Sequence, residues 1–405
     1  MKTCIIATEN YLYDSRMYWK EACSLKKHGY YVTCIVMSDT DKEETGITEQ
    51  GIKYFKFKSY PNKLFNSFNK PLMYKYTFSK ATFNKIFEIA TKENFHSYHL
   101  HGLYSLLLID KLKKINSKAK IIYEDREFYP DAIRDYNETK GICTINKIIY
   151  SYYMSLWEIM KAAKSDQVIV TDKNIFKRFK NRLGKNKVNI IYNFTNIEPI
   201  HSMNHEKKTY DIIYCGGVTK VRGIFQVVKA VKLAKNDGYN LKFLLIGPID
   251  SNFKNELLDY INKNNLNENV DILGRINFSE LPKYLEKSKI GIVTLLSIPK
   301  YKKNIPMKQF EYMAYGLPVV GSDLPPIKEF TGESNSGILV NPMNEREIWK
   351  AIKALLESEE LYYELSKNGI QAVKEKYNWK CSEEKLISIY NNLLDKRRTM
   401  FILLK

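Results

Sequence analysis

The sequence predicts an α/β protein of two doubly wound domains, each a parallel sheet covered on both faces by helices. Two observations carry the prediction. Short β-branched runs alternate with longer amphipathic stretches along nearly all of the 405 residues, the pattern that right-handed βαβ units require. The alternation breaks once, over 194–209 (FTNIEPIHSMNHEKKT), and then restarts. That break is polar, has no period and contains Pro199, so it reads as a linker.

Strands are expected at 3–7, 32–36, 54–57, 98–101, 120–123, 168–170 and 189–192. Helices fall between them at 15–27, 72–92, 103–114, 146–164 and 174–183. After the linker, strands at 211–215, 241–246, 270–273, 290–293, 318–321 and 337–340 alternate with helices near 224–236, 252–264, 279–287, 307–315 and 345–356. The expected organisation is a first domain over 1–195, a linker over 196–209 and a second domain over 210–381. A last helix, about 382–405, is expected to pack back on the first domain. Two sheets of this kind are expected to face each other across a cleft at their carboxyl ends, where such folds bind ligands.

The composition excludes several classes. Gly (18) and Pro (12) are too scarce for a collagen-like or low-complexity chain. No apolar run reaches the ~18 residues of a membrane span, and the start lacks a signal-peptide core. Six cysteines show no CxxC pair or metal-ligand spacing, so they read as reduced thiols packed as small hydrophobes. The net charge is +19. Residues 51–87 concentrate it, with eight Lys and no acid among interleaved aromatics. Such a segment suits a solvated face over core aromatics, or an anionic membrane surface. No nucleic-acid-binding motif accompanies it, so nucleic acid is not an expected partner.

Two stretches carry chemistry. Cys215-Gly216-Gly217-Val218-Thr219-Lys220-Val221-Arg222-Gly223 follows the first strand of the second domain and precedes a helix. Glycines permit close backbone approach, a helix start presents N–H groups, and Arg222 can pair with phosphate. The second stretch is Ile305 to Val320, where Pro306 suits a helix start and Gly316 its end. Lys308 and Glu311 lie one turn apart on that helix.

At these residues the sequence resembles the retaining nucleotide-sugar glycosyltransferases of the GT-B fold, the glycosyl transferases group 1 family, with two Rossmann-like domains. The strongest part matches the family block P-x-K-x-x-E-Y-M-A-x-G-x-P-V-V-x-S-D at 306–323. In the first domain, Asp14-Ser15-Arg16 with Lys20-Glu21-Ala22, then His99-Leu100-His101-Gly102, then YEDREFYP at 123–130 look like a bacterial polysaccharide or capsule subgroup.

The resemblance implies residue roles. Glu311 would accept hydrogen bonds from the donor ribose, and Arg222 with Lys308 would face the diphosphate. Gly216 and Gly217 would line the same pocket, Gly247, Arg275 and Ile276 would flank the base, and His101 would stand near the sugar. Three departures are visible: Gly217 occupies the place of the family's usual Arg, Lys303 that of its other Glu, and Arg126 that of a subgroup His. The implied activity is transfer of a hexosyl or N-acetylhexosaminyl unit from a nucleoside diphosphate sugar, UDP ahead of GDP, to a hydroxyl of a glycan or lipid-linked saccharide. The anomeric configuration would be retained, and neither metal nor cofactor is expected. The expected location is cytoplasmic, peripheral at the inner membrane face if 51–87 binds lipid. A sugar-nucleotide 2-epimerase and a non-catalytic membrane- or polyanion-binding protein are the alternatives.

Overall fold

The computed structural model describes residues 1–40, 42–58, 80–126, 144–196, 208–277 and 280–402. It divides into two units. Met1–Asn193 joins Trp379–Lys405 in the first, and Phe194–Asn378 forms the second. The linker residues 197–207 lie outside the described residues.

The first unit carries strands β1 (Lys2–Ala7), β2 (Tyr31–Met37), β3 (Glu44–Ile47), β4 (Lys53–Phe57), β5 (Ser97–His101), β6 (Lys120–Asp125), β7 (Gln167–Val170) and β8 (Val188–Ile190). They form one sheet in the order β3-β4-β2-β1-β5-β6-β7-β8, parallel except where β3 pairs antiparallel to β4 at the edge. A strand covered on both faces reads as a continuous apolar run, as β1 does. Its Cys4 and Ile6 pack on one layer with Leu100 and Tyr123. Ile5 and Ala7 point the other way, into a core completed by Trp379, Leu386 and Tyr390 of the helix Trp379–Ile402.

The short edge strand β3 was not predicted, because ETGI has too little apolar character to signal a strand. Two predicted helices open in other forms. Met17–Ala22 is a π-helix turn, with Glu21 N–H donating to Arg16 O at 2.9 Å, before an α-helical Cys23–Lys27. Leu103–Leu108 is 3₁₀ before an α-helical Ile109–Ile115. The helix expected over 72–92 is described as Lys80–Thr91; 72–79 lie outside the described residues.

The second unit carries β9 (Tyr210–Cys215), β10 (Phe243–Ile246), β11 (Val270–Gly274), β12 (Ser288–Val293), β13 (Val319–Ser322) and β14 (Gly337–Val340). All pair in parallel, in the order β11-β10-β9-β12-β13-β14. Ile212 and Tyr214 of β9 join Phe243, Leu245, Ile290 and Ile292 in the core. Val227 and Val231 of helix Ile224–Asn236 and Ile352 of helix Glu345–Glu357 cover them. Helix Glu359–Glu375, not predicted, follows with Ser358 as its N-cap.

Five of the six cysteines lie among the described residues, and all five are free thiols. None of the described helices is long and apolar enough to cross a membrane.

Candidate functional site

β9 lies where the strand order of the second unit reverses, with β10 on one side and β12 on the other. Open α/β sheets bind ligands at that point, beyond the carboxyl ends of the strands. There β9 passes into Gly216 with φ +131°, and β10 passes into Gly247 with φ +138°. A Cβ on Gly247 would lie 2.0 Å from Gly216 O, so the two turns meet backbone against backbone. Gly216 N–H donates to Ile246 O at 2.8 Å, and Gly247 N–H donates to Gly274 O at 2.6 Å. Two tyrosines fix the turn. Tyr214 OH donates to Gly217 O at 2.8 Å, and Tyr312 OH accepts from Cys215 N–H at 2.9 Å.

Against this turn lies a buried amine. Lys308 opens the helix Lys308–Ala314, and its Nζ stands 3.5 Å from the centroid of the Tyr214 ring. The same Nζ lies 3.0 Å from where a Cβ of Gly216 would be. Among the described residues it has no hydrogen-bond partner. Burial first, and the nearby Arg222 charge second, hold its pKa well below the usual lysine value. An unpartnered amine of this kind is costly to bury unless an anion completes it.

Arg222 ends the 3₁₀ turn Lys220–Arg222, with its guanidinium 5.7 Å over the Tyr301 ring. Gly223 follows with φ +72°, where a Cβ would strike Thr294 O at 1.8 Å, and no side chain caps the helix that begins at Ile224. Glu311 is half-buried one turn beyond Lys308, and its charge helps push the buried Cys215 thiol up to about 12, after burial itself.

The structure therefore gathers Gly216, Gly217, Arg222, Gly247 and Lys308 at one strand end, with Glu311 on the same short helix. A Cβ at Gly217 would meet open space, so the departure there leaves room rather than filling it. Arg275 is exposed and Ile276 half-buried, both just past β11 and next to the Gly247–Gly274 hydrogen bond. Lys303 is half-buried in the loop ahead of Lys308. Sequence reasoning missed Tyr214 and Tyr312, which read as ordinary core aromatics.

His101 belongs to the first unit, at the end of β5, and is completely buried. Its Nε2 lies 3.2 Å from Glu21 Oε2, and its Nδ1 lies 3.7 Å from Glu124 Oε1. Arg16 Nε bridges the two carboxylates, 2.9 Å from Glu21 and 2.7 Å from Glu124. His99 Nε2 stands 3.4 Å from Glu124, and its Nδ1 meets Tyr390 OH at 2.9 Å. Burial pushes His101 down to about 4 and keeps the imidazole neutral. Burial, and then the Glu124 charge, push Glu21 up to about 8, while Arg16 leads the charges that hold Glu124 well below the ordinary range.

Among the described residues, Glu21, His99, His101 and Glu124 have ligand-type atoms within 4.8 Å of one another, as a metal site would. Arg16 already supplies the positive charge there. Arg126 pairs with Asp14 at 2.9 Å beside this group. The one Asp-x-Asp triplet, Asp39-Thr40-Asp41, also falls in the first unit; Asp39 pairs with Lys56 at 3.2 Å, and Asp41 lies outside the described residues.

Residues 197–372 match the family model described as Glycosyl transferases group 1. This segment is a Glycosyl transferases group 1 domain. It contains every second-unit site residue named above. The chain is 24% identical over 266 residues to an uncharacterised glycosyltransferase of Methanocaldococcus jannaschii, covering 62% of this chain and 64% of that protein. It is 22% identical over 183 residues to the capsular polysaccharide biosynthesis glycosyltransferase CapM of Staphylococcus aureus, covering 45% of this chain and 46% of that one. The chain thus spans about half to two thirds of these relatives. Among solved structures, sucrose-phosphate synthase from Thermosynechococcus elongatus superposes with a TM-score of 0.75 at 16% identity, covering 98% of this chain and 99% of that one. Anabaena HepE, solved with UDP and glucose, gives 0.66 at 13% identity, covering 96% of this chain and 99% of that one. The likeness shows the GT-B fold.

Proposed function

We propose that this protein transfers a hexosyl or N-acetylhexosaminyl unit from a nucleoside diphosphate sugar, UDP ahead of GDP, to a hydroxyl of a glycan or lipid-linked saccharide in surface polysaccharide synthesis. The observation that carries the reading is the buried, unpartnered Lys308 Nζ against the Gly216 turn, inside the group 1 domain. The relatives named for capsular and teichuronic acid biosynthesis support the polysaccharide context.

In this reading the diphosphate lies on the Gly216 turn between Lys308 and Arg222, and Glu311 accepts from the ribose hydroxyls. The bond from the anomeric carbon to the phosphate oxygen breaks, and a bond to the acceptor oxygen forms on the same face. The acceptor proton passes to the departing phosphate, so retention needs no protein nucleophile. Charge growing on that phosphate is met by Arg222, Lys308 and the uncapped start of helix Ile224–Asn236, without a metal ion. The first domain takes the acceptor on the cytoplasmic side of the membrane. Complete burial argues against the direct sugar contact that the resemblance implies for His101. We assign it a positioning role, as the neutral partner that orders Glu21 and Glu124.

The test is calorimetric titration with UDP, GDP, ADP and CMP in the presence of EDTA. Micromolar UDP binding is expected, and Glu311→Ala should weaken it about 10- to 100-fold, the worth of a charged hydrogen bond. Equal affinity of the wild type and Glu311→Ala for every nucleotide would overturn the assignment.

A further inference from the structure

Among the described residues, helix Thr144–Ala162 in the first unit leaves one face without a partner. Ile148, Ile149, Tyr152, Tyr153, Leu156 and Met160 are each 38–63% exposed. At about 100° per residue they fall within about 140° of the helix circumference, a continuous stripe along its length. Scattered exposed apolar residues need no explanation, but a contiguous stripe does. The opposite side of the helix is committed to the fold, with Met154 in the core and Glu158 accepting from Tyr123 OH at 2.6 Å.

At the edge of the stripe lies helix Lys173–Leu183, tied to Ser155 by Arg178 at 3.2 Å. Its surface is basic: Lys177, Lys180 and Arg182 are exposed, as is Lys185 just beyond. Over 144–191 the chain has ten Lys or Arg and three acids. None of those acids is exposed. Glu158 and Asp172 are buried, the latter capping its helix, and half-buried Asp166 accepts from Ile121 N–H at 2.8 Å. Lys161 and Lys164 of this stretch pair with Asp110 at 2.5 Å, so the basic face is the set of exposed cations on helix Lys173–Leu183 and Lys185. Ion pairs also occupy the described part of 51–87. There Lys53 pairs with Glu93 at 2.5 Å and Lys56 with Glu44 at 3.0 Å, while 59–79 lie outside the described residues.

We propose that the stripe on helix Thr144–Ala162 and the basic face of helix Lys173–Leu183 together form a docking surface for an anionic lipid bilayer. An apolar helix face flanked by cations is the arrangement that lies in a bilayer interface, with the apolar side chains among the acyl chains and the cations at the headgroups. Single-stranded nucleic acid fits less well, because Ile148, Ile149, Leu156 and Met160 offer no ring on which a base could stack. A second copy docked through the stripe would bring two basic helices together.

The test is co-sedimentation of the full chain with vesicles of phosphatidylglycerol and phosphatidylcholine mixed, against phosphatidylcholine alone. It needs neither donor nor acceptor, so its result stands apart from the proposed transferase reaction. Selective binding to the anionic vesicles is expected. Ile149→Ser with Tyr153→Ser should weaken it about tenfold or more. Each Lys adds about fivefold near an anionic surface, so Lys177→Gln, Lys180→Gln and Lys185→Gln together should weaken binding about a hundredfold. Both variants should melt as the wild type does, since every altered side chain is exposed. A separate Tyr152→Trp variant should show a blue shift in fluorescence on adding the anionic vesicles. Binding that ignores lipid charge, a stripe variant that binds unchanged, or no blue shift would overturn the proposal. So would a dimer that the stripe variant abolishes, or tighter retention by a single-stranded oligonucleotide than by the vesicles.

Discussion

Replacing Glu21 with Gln should flatten the alkaline limb of the protein's stability curve. In the first unit a single guanidinium, Arg16, stands between two fully buried carboxylates at 2.9 and 2.7 Å. Glu124 holds the charge, and Glu21 keeps its proton up to about pH 8. In the unfolded chain Glu21 would titrate near 4.5. Folded protein therefore binds the extra proton between those values, and stability falls as pH rises from about 4.5 towards about 8.

Each pH unit in that window is worth about 1.4 kcal/mol, so roughly 2 kcal/mol is lost between about pH 6.5 and pH 9. His101, pushed down to about 4, works in the opposite sense, but only below its unfolded value of 6.5. Glu124 likewise changes nothing above 4.5. The upper window thus reports Glu21 among these groups. Gln keeps the shape and the acceptor oxygen and has no proton to lose. Urea unfolding of both proteins at about pH 6.5 and pH 9 should show the wild type losing about 2 kcal/mol more than the variant, about 4–8 °C in melting temperature. Parallel pH curves for the two proteins would refute the assignment of the proton to Glu21.

Gly247→Ala would place a Cβ 2.0 Å from Gly216 O at a φ of +138°. It should cost more than about 2 kcal/mol and abolish UDP binding; a melting temperature equal to wild type would contradict the close approach. UDP binding should raise the protonation of Lys308, because its amine is held low by burial and the diphosphate supplies the missing anion. Calorimetry in buffers of different ionisation enthalpy should show this as a buffer-dependent heat, absent in Lys308→Met. Arg222→Ala should lower kcat about 10²- to 10³-fold with less change in donor affinity, measured as sugar transfer to a lipid-linked acceptor. A change confined to KM would place Arg222 outside the transition-state contacts.

Much of the architecture was legible because it is written in local patterns. Buried parallel strands such as KTCIIA and YDIIYC read as apolar runs, and the helices between them keep their period. The edge strand Glu44–Ile47 was not legible, since an edge strand needs little apolar content. The π-helix turn at Met17–Ala22 was also hidden, because it depends on Arg16 and Glu21 meeting side chains from β5 and β6 that lie more than 75 residues away in sequence. At the turn after β9, glycine spacing pointed to Gly216 and Arg222. Nothing in the sequence revealed that Tyr214 would carry Lys308 on its ring, a contact between residues 94 positions apart. The place near the sugar expected for His101 came from the family resemblance, and no local pattern in the sequence reported its burial. The fold instead closes over it, because β5 is covered on both faces.

The first unit is made from two separated pieces of chain, with the whole of the second unit lying between them. That order has a consequence during synthesis. The bond between Tyr390 and His99 joins residues 291 positions apart, and Trp379 donates to Ser24 across 355 positions. As the chain leaves the ribosome, the continuous stretch Phe194–Asn378 can close its sheet while residues 379–394 are still to come. The amino-terminal sheet must meanwhile wait with Ile5, Val36 and Ile122 lacking the cover of Leu386 and Tyr390. A nascent chain arrested before Trp379 should therefore expose its amino-terminal half to chaperones and proteases while the central segment already resists them.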